Sequence, residues 1–111
     1  MFNSLPSLYW DDKTQIEWLE RRIIVSSIQY YELNDTCITD NKYDRLSKEL
    51  VEMIKHSPKE FKKTKYYYCF KEFDGSTGFD IPSKLKKTDK EYLTCIAKTI
   101  LDSKSSKQRS N

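Results

Sequence analysis

The stretch YYELNDTCITDNKYDRLSKEL, residues 30–50, decides the fold that the sequence predicts. Near its centre lies a short polar loop that begins at Asn34 and Asp35, two residue types that favour turns. Apolar residues recur at helical spacing on both sides of this loop, and Pro58 ends the second segment. Because only a few residues join the two segments, we expect two antiparallel helices that pack as a hairpin. Thr39 or Asp40 is expected to cap the second helix.

The second half of the chain carries a different pattern. Residues 65–73, KYYYCFKEF, are rich in aromatic residues, which favour strands. The segment DGST at 74–77 is typical of a turn, and GFDI at 78–81 indicates a short return strand. Thr88 and Glu91 match a capping box, so a further helix is predicted to follow.

The predicted fold class is therefore α+β: an antiparallel helical hairpin, a short two-stranded β-hairpin and a C-terminal helix in one small domain. Residues 1–102 are assigned to this domain. The helical hairpin occupies 13–57, and the β-hairpin and last helix occupy 65–101. The polar, basic residues 103–111 are predicted to form a disordered tail.

Composition limits the classes of function. Three widely spaced cysteines and a single histidine predict reduced thiols in a cytoplasmic protein and no zinc site. No apolar run approaches the roughly 20 residues that cross a bilayer, so no membrane partner is expected. The net charge of +3 is divided unevenly, because the first 54 residues are acidic and the remainder is basic. One polar face that meets a partner would explain this division.

The loop of the helical hairpin gathers two kinds of side chain. Tyr30 and Tyr31 precede it, and Asp40, Tyr43 and Asp44 follow it. Tyrosine faces attract cationic rings, and carboxylates accept hydrogen bonds from hydroxyl and amine groups. These five residues are candidate ligand-binding residues. The simplest alternative to ligand binding is a structural role, in which the aspartates cap the helix and the tyrosines pack across the hairpin.

The same residues resemble the N-terminal Ia domain of bacterial NAD-dependent DNA ligases. In that family a tyrosine followed by tyrosine or histidine, an L-D pair and the pattern D-x-x-Y-D-R-L follow one another. Here Tyr30-Tyr31, Leu33-Asn34, with asparagine in place of the aspartate, and DNKYDRL at 40–46 occupy the same register. The resemblance extends over about residues 13–57. It implies a helical hairpin that binds the nicotinamide mononucleotide (NMN) half of NAD through Tyr30, Tyr31, Asp40, Tyr43 and Asp44. Apart from this implied ligand, the sequence predicts no cofactor.

The sequence predicts no catalytic residue and no enzymatic activity. Ligase chemistry begins with the lysine of a K-x-D-G motif, whereas the nearest string here, K-E-F-D-G at 71–75, has one residue too many. DGSTG lacks the spacing and the lysine of a phosphate-binding loop. The presence of only one histidine also argues against a Ser-His-Asp triad.

The basic half contains lysines interleaved with tyrosines, a combination that binds single-stranded nucleic acid or an acidic partner. Few arginines are present, so base-specific recognition is not expected. The candidate partner-contact residues are Lys59, Lys62, Lys63, Lys65, Tyr67, Lys84, Lys86 and Lys87.

Three functions agree with these observations. The preferred one is a non-catalytic inhibitor that acts by protein contact, because the chain resembles small phage and mobile-element proteins in size and style. Anti-CRISPR proteins that block a Cas9-type nuclease or its guide RNA are the example, and the expected partner is such a host ribonucleoprotein. The alternatives are an NMN- or NAD-binding module and a weak binder of RNA or single-stranded DNA.

Overall fold

The computed structural model describes residues 11–34, 39–73, 75 and 80–109, with side chains described up to residue 103. No described residue lies in a strand, so the α+β class predicted from the sequence is wrong and this part of the chain is all-α. None of its helices is long and apolar enough to cross a membrane. The helices are α1 (Asp12–Tyr31), α2 (Asp40–His56), α3 (Pro58–Phe61), α4 (Tyr67–Phe70), α5 (Ile81–Lys84) and α6 (Lys87–Arg109).

The central helix is α1. All residues from 23 to 29 are buried, whereas a helix on a protein surface buries one stripe only. Helices α2, α3, α5 and α6 each pack against it. Ile23, Ile24 and Val25 are β-branched and therefore weak helix formers. Tertiary packing, and not helix propensity, thus stabilises this segment as a helix.

Helices α1 and α2 form the antiparallel hairpin that the sequence predicted. The Ser57 hydroxyl, just after α2, donates to the Asp12 carboxylate at the start of α1, and Tyr43 and Ser27 join the opposite ends of the two helices. Helix α1 ends at Tyr31 with Glu32 as its C-cap, and Asn34, two residues after the cap, has a left-handed φ of 55°. Asparagine tolerates this conformation better than most residues do, so the chain can turn there after the helix.

The predicted β-hairpin is replaced by short helices. Residues 67–70 form α4 instead of a strand. Tyr66, Cys69 and Phe70 are buried and Phe73 packs partly against the core, and this spacing of three and four is the period of a helix. The turn at 74–77 and the start of the return strand lie mostly outside the described residues, and Ile81, at the end of that strand, begins α5.

The last helix also differs from its prediction. Helix α6 begins at Lys87, so Thr88 lies inside its first turn and is not its cap. Asp89 in that turn accepts a hydrogen bond of 2.6 Å from the Tyr68 hydroxyl, which joins α4 to α6. The backbone remains helical to Arg109, across residues 103–109 of the segment that the sequence assigned to a disordered tail.

Candidate functional site

A cleft of about 200 Å³ lies between the last turn of α1 and the first turns of α2. All five candidate ligand-binding residues line this cleft, together with two residues that the sequence analysis did not select. The lining consists of Ser26, Tyr30, Tyr31, Thr39, Asp40, Tyr43 and Asp44. The hairpin therefore brings together residues from both sides of the loop, as the sequence pattern predicted.

The tyrosine pair supplies exposed aromatic surface at the end of α1. Tyr30 is 51% exposed and Tyr31 is 44% exposed. Their rings meet edge to face, with centroids 4.8 Å apart and planes at 64°, a favourable geometry for aromatic pairs. Because both rings are so exposed, their faces can receive a ligand without displacing the protein core.

Tyr43 forms the floor of the cleft. Its side chain packs partly against the hydrophobic core, and its hydroxyl lies 3.0 Å from the hydroxyl of Ser27. Burial raises the pKa of the Tyr43 hydroxyl, while the hydrogen bond with Ser27 acts in the opposite direction. This hydroxyl therefore stays protonated near neutral pH and joins the floor of the cleft to α1.

Two carboxylates stand on the α2 side. Asp40 occupies the first turn of α2, after the N-cap Thr39, whose hydroxyl accepts from the amide of Lys42 at 3.1 Å. A carboxylate at this position interacts favourably with the helix dipole. Asp44 follows one turn later on the same side, and both aspartates are exposed. Since Thr39 caps the helix, neither aspartate is needed as the cap.

Ser26 and Thr39 line the cleft but were not predicted from the sequence. Ser26 precedes Tyr30 by four positions, so the two share one face of α1, and this spacing was a usable signal. Thr39 was expected only as a cap, because its place in the cleft depends on how α2 packs against α1.

Several of the candidate partner-contact residues make contacts within the protein. Lys63 lies 3.3 Å from Glu60, and Lys84 lies 3.4 Å from Asp80. The Tyr67 ring is half-buried and meets the Phe61 ring edge to face at 4.8 Å, so it does not stand free for base stacking. Of the candidate partner-contact residues Lys59, Lys62, Lys63, Lys65, Tyr67, Lys84, Lys86 and Lys87, all except Tyr67 are exposed.

Lys65 and Lys86 make contacts at the junction between α4 and α6. The Lys65 ammonium lies 3.9 Å from Asp89. The Lys86 ammonium lies 4.9 Å from the centre of the Tyr68 ring, and its backbone amide donates to the Tyr68 hydroxyl at 3.1 Å. These two lysines therefore stabilise the fold as well as presenting charge. Across the described residues, no group of three or more metal-ligating side chains is placed to hold an ion.

A comparison with known families agrees with the position of the cleft. The family described as DNA ligase-like, N-terminal NAD+-binding domain matches residues 10–67, more than half of the chain. The chain therefore belongs to this family, and the resemblance inferred over residues 13–57 is confirmed. No curated protein and no solved structure matches the chain significantly. The matched region contains every residue that lines the cleft.

Proposed function

We propose that the chain binds the nicotinamide mononucleotide half of NAD in the cleft between α1 and α2. The observation that supports this most strongly is the convergence of Tyr30, Tyr31, Asp40, Tyr43 and Asp44 on one cleft. The family match covers the same residues.

The chemistry of the cleft suits this ligand. Oxidised nicotinamide is a cationic ring, and the exposed faces of Tyr30 and Tyr31 attract such a ring. Asp40 and Asp44 supply acceptor oxygens for the ribose hydroxyls and the carboxamide amine. The cleft of about 200 Å³ is smaller than the roughly 300–1,000 Å³ of typical small-molecule pockets. It therefore suits the nicotinamide and its ribose better than a whole dinucleotide.

We propose binding without chemistry for this chain. The K-x-D-G lysine that starts ligase chemistry has no counterpart in register, because Lys71 is separated from Asp74-Gly75 by two residues. Lys71 lies in the turn after α4, outside the cleft lining. A purified sample that transferred AMP from NAD to itself would contradict this part of the proposal.

Isothermal titration of the full chain with NMN and with NAD tests the binding proposal. Tyr30→Ala removes one exposed ring and is expected to weaken NMN binding about tenfold or more, consistent with the 0.5–2 kcal/mol of a cation–π contact together with lost packing. Tyr92→Ala is the matched control, because Tyr92 is 54% exposed on α6 and lies outside the cleft. Absence of binding by the unmodified chain, or equal losses in both variants, would reject the proposal.

Asp44→Asn provides a second test with a different physical basis. It preserves the size of the side chain but removes a charge that favours a cationic ring and accepts from hydroxyls, so NMN affinity is expected to fall. Asp102→Asn on α6 makes the same chemical change at an exposed position away from the cleft. An Asp44 variant that binds NMN as tightly as the Asp102 variant would contradict a role for this carboxylate.

The other two functions inferred from the sequence stay predictions. An inhibitor of host defence should stop DNA cleavage by a Cas9-type nuclease when it is added in excess, and normal cleavage would reject it. A weak RNA or single-stranded DNA binder should shift short oligonucleotides at low salt and release them as salt rises. A cytoplasmic location, where NAD is available, also stays a prediction.

A further inference from the structure

The side chains that line the cleft between α1 and α2 carry negative charge only. Asp40 and Asp44 are the charged ones, and the other lining residues are tyrosines, a serine and a threonine. Among the described residues, no lysine, arginine or histidine lines the cleft. Residues 35–38, which join α1 to α2 in the sequence, are D-T-C-I and add no basic residue. The charge of a bound group is therefore what this cleft distinguishes most strongly.

The basic residues of α2 that are closest in sequence to the cleft lie on other faces of that helix. Lys42 follows Asp40 by two positions, which is a rotation of about 200° around the helix axis. Arg45 follows Asp44 by one position, a rotation of about 100°. Neither of these basic residues lines the cleft, so neither is placed to bind an anionic group of a ligand there.

The N-terminal end of α2 would ordinarily attract an anion, because its first amide groups carry partial positive charge and point away from the helix. Two features oppose this attraction here. The Thr39 hydroxyl already accepts a hydrogen bond from the Lys42 amide at 3.1 Å. The Asp40 carboxylate stands in the first turn of α2, where it interacts with the helix dipole and repels a second negative group. This end of the helix is therefore poorly suited to a phosphate.

We infer that the cleft selects its ligand by the positive charge of a pyridinium ring and does not bind the phosphate. The ligand class is the oxidised nicotinamide nucleoside, whether or not a phosphate follows the ribose. This inference rests on the proposed function and narrows it: the phosphate of NMN extends out of the cleft into solvent and contributes no affinity.

The same selection by charge separates three forms of the ring. Oxidised nicotinamide is cationic, so the faces of Tyr30 and Tyr31 and the two carboxylates all attract it. The reduced ring is neutral and loses both attractions. A nicotinic acid ring carries an additional carboxylate, which Asp40 and Asp44 repel. Occupancy of the cleft should consequently follow the concentration of oxidised nicotinamide nucleotides and not that of the reduced ones.

Isothermal titration of the full chain with nicotinamide riboside, reduced nicotinamide riboside, nicotinic acid riboside and NMN tests this inference. We expect nicotinamide riboside to bind about tenfold more tightly than its reduced form or the acid, because cation–π attraction and carboxylate attraction both depend on the charge of the ring. NMN is expected to bind no more tightly than nicotinamide riboside. The preference for the oxidised ring should shrink as salt rises.

The double variant Asp40→Asn, Asp44→Asn removes the negative charge while keeping the size of both side chains. It should lose most of the preference for the oxidised riboside, whereas damage to the fold alone would weaken binding of both forms equally. Thr39 still caps α2 in this variant. Asp102→Asn is the matched control, because it makes the same chemical change at an exposed position on α6 outside the cleft.

The outcomes distinguish this inference from the proposed function. Equal binding of the oxidised and reduced ribosides would refute selection by charge, and clearly tighter binding of NMN than of nicotinamide riboside would reveal a phosphate contact. In both cases NMN binds, so the proposed function stands. A preference for the oxidised ring that survives the double variant, or that Asp102→Asn removes equally, also refutes the inference. If neither NMN nor nicotinamide riboside binds the unmodified chain, the proposed function itself fails.

Discussion

Glu20 is a carboxylic acid inside the hydrophobic core. Its side chain on α1 is fully buried. One carboxyl oxygen accepts a hydrogen bond of 2.9 Å from the Thr64 hydroxyl, and the other has no hydrogen-bond partner among the described residues. Burial raises the pKa of Glu20 to about 8, an increase that the Thr64 hydrogen bond only partly offsets. The folded protein therefore holds Glu20 in its neutral form at neutral pH.

This protonation makes stability depend on pH. Between the ordinary glutamate pKa of 4.5 and the folded value of about 8, the folded state keeps a proton that the unfolded chain has released. The free energy of unfolding must then fall as pH rises through this range, and it levels off above it. The two pKa values differ by about 3.5 units, and each unit corresponds to about 1.36 kcal/mol, so the free energy of unfolding falls by at most about 5 kcal/mol. That is a large share of the roughly 5–15 kcal/mol typical of a folded domain.

Glu20→Gln tests this reasoning, because glutamine has the shape of the neutral acid and cannot ionise. Urea unfolding followed by far-ultraviolet circular dichroism at pH 5, 6, 7 and 8 gives the free energy of unfolding at each pH. We expect the variant to gain stability over the unmodified protein steadily as pH rises. Glu52→Gln is the control, since Glu52 is 77% exposed and should leave the slope unchanged. Parallel pH profiles for Glu20→Gln and the unmodified protein would refute the reasoning and show that Glu20 is ionised when folded.

Three further substitutions are expected to lower the free energy of unfolding, measured by urea titration. Gly75→Ala places a side chain on a backbone with φ of 87° and 3.0 Å from a methyl group of Val51; we expect a loss of about 1–2 kcal/mol, and no loss would contradict that backbone conformation. Tyr68→Phe removes the hydrogen bond to Asp89 and should cost about 2 kcal/mol, whereas an unchanged midpoint would show that this bond contributes nothing. Tyr43→Phe leaves a buried serine hydroxyl without this partner and should cost about 1 kcal/mol, with full stability as the contradicting result.

The helical hairpin and its cleft could be predicted because their signals are local. Apolar residues at helical spacing, the cap at Thr39 and the stop at Pro58 all lie within the elements that they define. The cleft followed from the same signals, because a short connection between antiparallel helices brings the end of one helix to the start of the next. The helical register of each segment then determines which side chains meet in the cleft.

The second half could not be predicted in the same way. In residues 65–73 the many tyrosines and phenylalanines favour a strand, whereas the spacing of Tyr66, Cys69 and Phe70 is helical. Strand propensity depends strongly on context, and here the context is the face of the core that these residues cover. The hydrogen bond between Tyr68 and Asp89, in the first turn of α6, joins residues 21 positions apart, and no local pattern predicts such a contact.

At the end of α1, side-chain burial changes abruptly from one residue to the next. Ile28 is fully buried and Gln29 nearly so, yet Tyr30, the next residue, is half exposed. The backbone there is held firmly, because the amides of Glu32 and Leu33 both donate to the Ile28 carbonyl, at 2.9 and 3.0 Å, and Gln29 bonds to α6. A rigid backbone that carries an exposed aromatic ring loses little conformational entropy when a ligand binds. Burial does not explain why an aromatic residue stands at position 30, whereas the proposed stacking of a cationic ring on its face would.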